Sequence, residues 1–445
     1  MNIKKILILG AGRSSFYLIN YLLENADKEN WLVTVVDKTI QLANEKTNNH
    51  PCSTALGVDI LKPEQRYHLV SDSDIVISLL PPDLHFLVAT DCLELKKHLF
   101  TASYISPEIQ RLNEPVEKNN LLFMNEIGLD PGIDHISAIK IIHKIKAKNG
   151  KLISFKSYCG GLIAPECNDN PWNYKFTWNP RNVILAGQGT AKYLLNGKYK
   201  YVPYNRIFTN SEIVEVEGAG TYEAYPNRDS IGYRKIYGIE DISTMLRGTL
   251  RSPDFCNSWD IFIKLGLTDD SYQIENSKNM SYKELIESLL PHSQGKTLSE
   301  KICSVANVAA DSTAYKNFLW TGIASDEKIP LEKASPAMIL QNLLESKWKM
   351  NPNDKDMVVM HHEFSYINSN GNQKHISSSL VVKGENSQLT AMAKTVGLPL
   401  AITVKLFLQG KISLRGVRIP VYKEIYLPVL NELEKNGIIF SETEG

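Results

Sequence analysis

The feature that most constrains this chain is an apolar run that leads directly into a glycine-rich turn and then into a helix. The run Ile-Leu-Ile-Leu at 6–9 precedes Gly10–Gly12, and apolar residues then recur at helical spacing through Phe16–Leu23. Two further apolar runs follow, at Trp31–Val36 and Ile75–Leu80. Continuous apolar strands that alternate with helices predict a parallel sheet buried on both faces, which is the doubly wound nucleotide-binding arrangement.

The turn after the first strand has the composition of a phosphate-binding loop. It reads Gly-Ala-Gly-Arg-Ser-Ser and joins a predicted strand to a predicted helix. The pyrophosphate of a dinucleotide needs close approach of the backbone and N–H groups at a helix N-terminus, which glycines in such a turn allow. Ser15 stands where the motif has Gly or Ala, a departure that still permits close packing. We therefore expect cofactor contacts at Gly10, Ala11, Gly12, Arg13 and Ser14.

The residue that ends the second strand, Asp37, bears on which dinucleotide binds. It lies about 25 residues after the loop, where a carboxylate accepts hydrogen bonds from the ribose hydroxyls and repels a 2′-phosphate. This position favours NAD. Lys38 and Thr39 follow directly, however, and a cation at this corner can hold a 2′-phosphate if Asp37 turns away, so NADP stays the alternative.

Charge and composition exclude several classes of protein. The 445 residues include 49 Lys and Arg against 49 Asp and Glu, so the zero net charge gives no reason to expect binding to nucleic acid or to anionic lipid. With 43% hydrophobic and 22% charged residues, the composition is globular and not that of a disordered or coiled-coil protein. The expected partner is a small molecule.

The cysteines and the hydropathy bear on metals and location. The six cysteines include no C-x-x-C pair and no histidine partner at zinc spacing, which predicts that the chain binds no metal. The first apolar run is too short for a signal peptide, and Leu398–Leu408, which contains Pro399 and Lys405, is shorter than a membrane span. We expect a cytoplasmic protein with reduced thiols.

The sequence pattern of predicted strands and helices changes near residue 151. Aromatic-rich strands and loops rich in Gly, Pro and Asn predict a second domain of mixed α and β structure. Helical patterns dominate between about 254 and 351, which indicates a helical insertion. An alternating strand follows at 357–366, and we expect one of its histidines, His361 and His362, to face solvent and the other to pack, with no metal on either.

Two segments that follow later strands are candidates for catalysis. Thr101–Tyr104 and Asn125–His135 both lie where strands of a doubly wound sheet should end, and ligands bind in the crevice outside those ends. Asp130 precedes a Pro-Gly pair, is held extended by it and is the better site candidate. Asp134 is expected to be the N-cap of the helix that follows.

Arginines beside turn residues are the candidate receptors for a carboxylate. Arg228 lies in Tyr-Pro-Asn-Arg-Asp-Ser, and Arg247 and Arg251 flank Gly-Thr-Leu. A guanidinium binds a carboxylate with two parallel hydrogen bonds. Because an isolated arginine is more often solvated or structural, these residues indicate a carboxylate-binding site only as part of a wider pattern.

That wider pattern resembles saccharopine dehydrogenase of the L-glutamate-forming type, also called saccharopine reductase. The similar stretches follow one another in the family's order and cover nearly the whole chain apart from the helical insertion. They are Ser103–Pro107, Met124–His135, Ser157–Glu166, Asn170-Pro171 with Tyr174–Phe176, Tyr225–Ser230, Arg247–Arg251, Thr395–Pro399 and Gly410–Ser413.

The resemblance implies a homodimer of two-part subunits. It implies a Rossmann-type α/β domain at 1–130, a mixed α+β domain for substrate binding and dimerisation at 131–395, and a C-terminal segment at 396–445 that returns to complete the nucleotide-binding domain. By matched position it implies substrate contacts at Ser103, Tyr104, Asp130, Arg228, Thr249, Leu250 and Arg251. Beyond the loop residues Ala11 to Ser14, it implies cofactor contacts at Asp37, Lys38, Thr39, Asp59, Ile60, Leu80, Ala102, Ser103, Leu129, Asp130 and Pro131.

One departure from the family pattern concerns the cofactor. Members that use NADP look like Cys-Arg-Thr after the second strand, where this chain has Asp37, Lys38 and Thr39. The departure leaves the implied fold unchanged. It leaves the choice between NAD and NADP open.

The implied reaction converts saccharopine, NAD(P)⁺ and water to L-glutamate, 2-aminoadipate 6-semialdehyde and NAD(P)H, in lysine metabolism. Our hypothesis is that Asp130, with Tyr104 alongside, lies nearest the transferred protons, while Arg228 and Arg251 clamp carboxylates. One alternative is a reductive condensation like that of carboxynorspermidine synthase, whose diamine substrate needs acidic residues where the arginines stand. The other is a non-catalytic nucleotide-binding sensor, which is expected to lack these four residues.

Overall fold

The computed structural model describes residues 3–186, 188–292 and 296–445. The chain divides into two compact units, which are treated separately below. Unit 1 consists of residues 1–149 and 382–440, and unit 2 consists of residues 150–381 and 441–445.

The first 149 residues alternate strands and helices. In chain order the elements are β1 (Lys4–Leu9), α1 (Phe16–Glu29), β2 (Trp31–Asp37), α2 (Ile40–Thr47), β3 (Ser53–Gly57), α3 (Pro63–Ser71), β4 (Ile75–Ser78), α4 (His85–Glu94), β5 (His98–Thr101), α5 (Pro107–Arg111), α6 (Asn113–Lys118), β6 (Leu122–Met124) and α7 (Ile133–Ala147).

The middle of the chain begins and ends with long strands and carries a group of helices between them. In chain order the elements are β7 (Lys151–Ile163), α8 (Pro180–Ile184), β8 (Ala191–Leu195), β9 (Lys198–Val202), β10 (Glu212–Val216), β11 (Gly220–Pro226), α9 (Tyr233–Ile236), β12 (Thr244–Arg251), α10 (Phe255–Lys264), β13 (Ile274–Glu275), α11 (Tyr282–Leu289), α12 (Leu298–Ala306), α13 (Thr313–Trp320), β14 (Lys333–Ala334), α14 (Pro336–Lys347), β15 (Asp356–Ile367) and β16 (Gln373–Lys383).

The C-terminal elements return to unit 1, apart from the last strand. They are α15 (Ala391–Leu408), β17 (Gly416–Arg418), α16 (Lys423–Lys435) and β18 (Phe440–Glu444). The sequence prediction ended the first domain at 130 and began the C-terminal segment at 396. In the structure all of α7 lies in unit 1, where it packs against α16, and all of α15 lies there too, packed against α1.

The sheet of unit 1 is wholly parallel. Its seven strands have the order β17-β6-β5-β4-β1-β2-β3. Ile6 to Leu9 in β1 and Ile75 to Ser78 in β4 are fully buried, as expected of strands covered by helices on both faces. The predicted Rossmann-type fold is therefore confirmed, and β17 adds a strand from the C-terminal segment.

A close helix contact explains how the C-terminal segment packs in unit 1. A Cβ atom on Gly397, inside α15, would lie 2.8 Å from the backbone nitrogen of Leu18 in α1, so only glycine allows this approach. Among the described residues, α15 is the one helix that is long and apolar enough to cross a membrane. Because 72% of that 18-residue stretch is buried inside the protein, it has the character of a core helix.

Unit 2 contains a mixed sheet of nine strands. Its main order is β10-β11-β12-β7-β15-β16-β18, and the β8–β9 hairpin joins through β12. One face packs on an aromatic cluster that contains Trp172, Phe255 and Trp259 together with the helices α10 to α14. The other face carries a smaller apolar cluster that includes Tyr158 and Leu250. The predicted mixed α+β domain with a helical insertion is thus confirmed as part of the fold.

The prediction for the histidine pair in β15 is wrong. His361 and His362 are both buried, because β15 is a central strand flanked by β7 and β16. The Nδ1 atom of His361 lies 2.8 Å from the hydroxyl of Ser379, and His362 packs near the ring of Phe155. Alternation along the strand therefore sends each imidazole into a different packed face instead of sending one to solvent.

Candidate functional site

The carboxyl edge of the unit 1 sheet collects the predicted cofactor residues. Because all seven strands run parallel, the residues that follow each strand lie along one edge, where doubly wound folds bind ligands. These residues are Gly10 to Ser15 after β1, Asp37 to Thr39 at the end of β2, Asp59 and Ile60 after β3, Leu80 after β4, Ala102 to Tyr104 after β5, and Leu129 to Pro131 after β6.

The glycine loop has the geometry that a pyrophosphate requires. Gly10 has a φ of +106°, and a Cβ atom there would lie 3.0 Å from the carbonyl oxygen of Leu79. Nothing lies within 4 Å of the corresponding position on Gly12, so the backbone there faces open space. Ser15 is buried, and its hydroxyl donates to the carbonyl of Gly12 at 2.8 Å. Since the first N–H groups of a helix have no intrahelical acceptor, this loop fits a phosphate group.

Asp37 is fixed beside this loop by two backbone hydrogen bonds. Its Oδ2 atom accepts from the N–H of Ala11 at 2.9 Å, and its Oδ1 atom accepts from the N–H of Thr39 at 2.9 Å. Lys38 forms an ion pair with Asp59 at 3.1 Å while most of its side chain stays exposed. The N–H of Leu61, and then Lys38, hold the pKa of Asp59 below its usual value. The end of β2 at Asp37, Lys38 and Thr39, called the ribose corner below, thus contains one fixed anion and one exposed cation in adjacent positions.

The two residues predicted to handle protons lie together in unit 1. The hydroxyl of Tyr104 donates to Oδ1 of Asp130 at 3.0 Å, and both side chains are half-buried. The peptide bond between Asp130 and Pro131 is cis. A tyrosine that donates to a carboxylate fixes its orientation, and the pair can accept a proton from a bound amine.

The turn that carries Asp130 is built by two glycines in close contact. A Cβ atom on Gly132 would lie 2.0 Å from the carbonyl oxygen of Gly128, and one on Gly128 would lie 2.8 Å from Cβ of Ala102. The predicted N-cap is wrong by two positions, because Gly132 caps α7 and Asp134 lies in its first turn. Asp134 still has a structural role, since its buried carboxylate accepts from the N–H of Gly132 at 2.6 Å.

A buried carboxylate and imidazole behind this turn were missed by the sequence analysis. Oε2 of Glu126 lies 2.9 Å from Nε2 of His135, and Oε1 of Glu126 accepts from the N–H of Ile105 at 3.1 Å. Both side chains are buried. The contact to Ile105 fixes the residue directly after Tyr104. Both residues lie in the segment 125–135 that was singled out, but only tertiary structure shows which of its polar groups face inward.

A second histidine was also missed. His85 begins α4 and is 2% exposed. Its Nδ1 lies 2.8 Å from the hydroxyl of Ser78, and its Nε2 lies 2.7 Å from the hydroxyl of Ser103. Burial lowers the pKa of His85 to about 4. The available signal was a histidine three residues after the Pro-Pro sequence that follows a buried strand.

In unit 2 the predicted substrate residues lie on two paired strands. Thr249, Leu250 and Arg251 end β12, which pairs antiparallel with β11, and Arg228 follows β11. The Arg228 side chain is exposed, and its backbone is left-handed with a φ of +50°. Leu250 points into the smaller apolar cluster, on the face opposite Tyr225, so only its backbone is available to a substrate.

Arg251 is enclosed by aromatic rings. Its side chain is 2% exposed, and its guanidinium carbon lies 5.2 Å from the ring centre of Tyr174, 5.7 Å from that of Tyr225 and 5.3 Å from that of Phe255. It donates to the carbonyl of Leu250 at 2.9 Å and to the hydroxyl of Tyr225 at 3.4 Å. Within the described parts of the chain, its Nε has no acceptor and no carboxylate pairs with it.

Comparison with protein families gives two matches that together span most of the chain. Residues 6–124 match the saccharopine dehydrogenase NADP binding domain, and residues 128–438 match the saccharopine dehydrogenase C-terminal domain. The first match supports the predicted nicotinamide cofactor. Its description as an NADP binding domain goes against the preference for NAD.

Individual relatives agree with these matches. The chain is 37% identical to a bovine mitochondrial alpha-aminoadipic semialdehyde synthase over 98% of its own length but only 47% of the relative, so it spans about half of that protein. It is 34% identical to the Saccharomyces cerevisiae saccharopine dehydrogenase [NADP(+), L-glutamate-forming] over 99% of both chains. The solved apo saccharopine dehydrogenase (L-Glu forming) of the same yeast superposes with a TM-score of 0.87, at 33% identity, covering 99% of this chain and 100% of that one. These matches confirm the resemblance read from the sequence: the chain belongs to the saccharopine dehydrogenase family.

Proposed function

We propose that this protein oxidises saccharopine with a nicotinamide dinucleotide and water, giving L-glutamate and 2-aminoadipate 6-semialdehyde in lysine metabolism. The observation that carries the proposal is the 3.0 Å hydrogen bond between Tyr104 and Asp130, at the sheet edge that also bears the glycine loop. The full-length similarity to fungal proteins named for this reaction supports the same choice.

The reaction requires a hydride transfer, two proton transfers and the addition of water. Saccharopine is a secondary amine that joins a glutamate to a lysine-like arm. Because the bridging nitrogen leaves with glutamate, the hydride departs from the carbon of the lysine arm that adjoins this nitrogen. The bound dinucleotide supplies the hydride acceptor. Water then adds to the resulting imine, and the carbon–nitrogen bond breaks to release the aldehyde and the amine.

We assign the proton transfers to Asp130 and Tyr104. The amine of saccharopine must lose a proton before or during hydride transfer, and the departing nitrogen of glutamate must regain one. The Asp130 carboxylate accepts the first proton at an oxygen whose direction is fixed by the Tyr104 hydroxyl. The half-buried position of both side chains strengthens their interaction compared with one in bulk water.

We assign the cofactor contacts to the carboxyl edge of unit 1, as the sequence predicts. The loop Gly10 to Ser14 receives the pyrophosphate, and the ribose corner is formed by Asp37, Lys38 and Thr39. Asp37 disfavours a 2′-phosphate through its charge, whereas Lys38, with 77% of its side chain exposed, attracts one. The balance between these two side chains determines the ratio of activities with NAD and NADP.

We assign the recognition of carboxylates to Arg228, Thr249, the backbone of Leu250, and Arg251 in unit 2. Saccharopine carries three carboxylates, and a buried guanidinium without an anionic partner is a strong receptor for one of them. The aromatic rings around Arg251 remove water from it, which raises the free-energy cost of leaving the guanidinium unpaired.

We also propose that the protein is a homodimer, following the family pattern, and that it is cytoplasmic, in keeping with its six free cysteines.

The test is the absorbance of reduced nicotinamide when purified protein is mixed with saccharopine and either NAD or NADP. We expect a rise with at least one cofactor, together with glutamate and the semialdehyde as products. If neither cofactor is reduced although one of them binds, the proposal is wrong. A panel of diamines with a semialdehyde, assayed in the reductive direction, then distinguishes a condensing reductase from a sensor without catalysis.

A further inference from the structure

We infer that His85 is a positioning residue that holds the hydroxyl of Ser103 as a hydrogen-bond donor to a carboxylate oxygen of the bound substrate. The inference rests on the proposed function, because it takes Ser103 as a substrate contact. It concerns three side chains of unit 1, namely Ser78 at the end of β4, His85 at the start of α4 and Ser103 after β5.

The first step of the argument is geometric. The imidazole of His85 bridges two hydroxyls, with Nδ1 at 2.8 Å from Ser78 and Nε2 at 2.7 Å from Ser103. Ser78 and His85 are buried, whereas Ser103 is half-buried. The chain of hydrogen bonds therefore begins inside the unit and ends at a side chain that a ligand at the sheet edge can reach.

The second step concerns the proton of the Ser78 hydroxyl. Within the described residues, the imidazole of His85 is the only hydrogen-bond partner of this hydroxyl, which has 0% exposure. If Nδ1 carried a proton and donated it, the Ser78 proton would be buried with no acceptor, which is costly. Ser78 must therefore donate to Nδ1.

The third step follows from the chemistry of a neutral imidazole, which has one donor nitrogen and one acceptor nitrogen. Burial lowers the pKa of His85 to about 4, so the ring is neutral near pH 7. Since Nδ1 accepts from Ser78, Nε2 carries the proton and donates to the oxygen of Ser103. Among the described residues of unit 1, the hydroxyl proton of Ser103 then has no acceptor, so it is free to point toward a ligand.

A hydroxyl held in this way selects an acceptor. A carboxylate oxygen accepts the hydroxyl proton in a charge-assisted hydrogen bond, whereas an ammonium group could donate only to the second lone pair of the oxygen and would leave the proton without an acceptor. His85 is thus expected to act on the affinity for saccharopine. It touches neither substrate nor cofactor itself, so it contributes by fixing the orientation of Ser103.

The kinetic test is a double-mutant cycle with His85→Ala and Ser103→Ala, measured with saccharopine and the preferred cofactor. Each single variant should raise KM for saccharopine about tenfold, as expected for the loss of a hydrogen bond to a charged group. The double variant should resemble Ser103→Ala alone, because His85 acts through Ser103. The Kd of the reduced cofactor should change less than twofold in the His85 variant.

Two further variants keep the test decisive. His85→Gln retains an N–H donor for Ser103 and should recover most of the KM if His85→Ala folds poorly. His98→Gln replaces another largely buried histidine of unit 1, at the start of β5, and should leave KM unchanged. Independent effects of His85→Ala and Ser103→Ala, which multiply in the double variant, would show that His85 is only structural.

The tautomer can be measured without any activity. Protein labelled with ¹⁵N in histidine should give the resonance pattern of an Nε2–H imidazole for the signal that is lost in His85→Gln. An Nδ1–H pattern would overturn the inference even if saccharopine is the substrate. If the protein oxidises no saccharopine at all, the proposed function fails, and the NMR result then shows separately whether Ser103 is held as a donor.

Discussion

The two units hold their candidate ligand-binding groups in opposite ways. In unit 1 the polar side chains at the sheet edge already have partners: Asp37 accepts two backbone N–H groups, Asp130 accepts from Tyr104, and His85 bridges two serines. In unit 2 the buried guanidinium of Arg251 has aromatic rings, one carbonyl and one hydroxyl around it, but no carboxylate in the described chain.

The two units therefore differ in how far their candidate ligand-binding groups are oriented and paired before a ligand binds. The unit 1 groups are oriented before anything binds, which lowers the cost of fixing them during the reaction. Arg251 instead keeps an unsatisfied nitrogen in a place that water hardly reaches, so an incoming anion gains a strong interaction. Changes at Asp130 and Asp37 in unit 1 should therefore alter turnover and cofactor choice, and changes at Arg251 in unit 2 should alter substrate affinity.

The largest effect is expected for Asp130→Asn. The amide keeps the size of the side chain but cannot accept a proton, and loss of a general base lowers turnover by about a hundredfold to ten-thousandfold. The Kd of the reduced cofactor should stay within about twofold of the native value. Steady-state kinetics together with fluorescence titration of the cofactor measure both quantities.

The matched variant for this prediction is Tyr104→Phe. It removes the hydroxyl that orients Asp130 and leaves the carboxylate in place, so turnover should fall by less than it does in Asp130→Asn. If Asp130→Asn retains nearly full turnover, Asp130 only orients substrate or water. A different group would then have to accept the proton from the substrate amine.

The next largest effect is expected for Arg251→Met. Methionine fills similar space among the aromatic rings but offers no charge, so KM for saccharopine should rise by about a hundredfold while the protein stays folded. Removing a buried cation that lacks a partner should not lower the melting temperature. An exposed arginine in unit 2, Arg206, provides the control as Arg206→Met, which should leave KM unchanged. An unchanged KM in Arg251→Met would mean that this guanidinium supports only the aromatic cluster.

These expectations depend unequally on sequence and on structure. The glycine loop, the buried parallel strands and Asp37 were readable from the sequence because each follows from local spacing: strand, turn, helix and the residue ending the next strand. Asp130 was singled out through its Pro-Gly neighbour. These signals need only a few consecutive residues, which is why they were found without any knowledge of tertiary contacts.

The groups that the sequence did not reveal are those whose partners are far away along the chain. His85 acquires its role from Ser78 and Ser103, and Glu126 from His135 and Ile105, none of which forms a recognisable spacing. His361 and His362 alternate along a strand, but which faces are covered depends on neighbouring strands from distant parts of the chain. The alternation of residues predicts that the two faces of the strand have different surroundings. It does not show which parts of the chain cover each face.

A smaller effect is expected for Asp37→Asn. The amide oxygen can still accept one of the two backbone N–H groups, so the loop should stay in place while the negative charge disappears. We expect the ratio of kcat/KM for NADP to that for NAD to rise by about tenfold, since repulsion of a 2′-phosphate is removed. Side-by-side assays with both cofactors measure the ratio. The complementary variant Lys38→Ala should lower it, and a ratio unchanged in both variants would place cofactor selection elsewhere.

The smallest effect is expected for the pH dependence of stability that arises from His98 in unit 1. His98 accepts a hydrogen bond from the N–H of Leu122 at 3.0 Å, and burial, followed by nearby positive charge, lowers its pKa to about 4. The unfolded chain binds this proton near pH 6.5, so stability falls as the pH drops from about 6.5 toward 4.

Replacing that histidine should flatten this pH dependence. His98→Asn keeps an acceptor for Leu122 but does not titrate, so the loss of unfolding free energy between pH 7 and pH 5 should shrink by about 1 kcal/mol. Urea titrations at both pH values measure the change. His375→Asn, at an exposed histidine of unit 2, should reproduce the native pH dependence. Equal behaviour of the two variants would show that this acid sensitivity does not arise from His98.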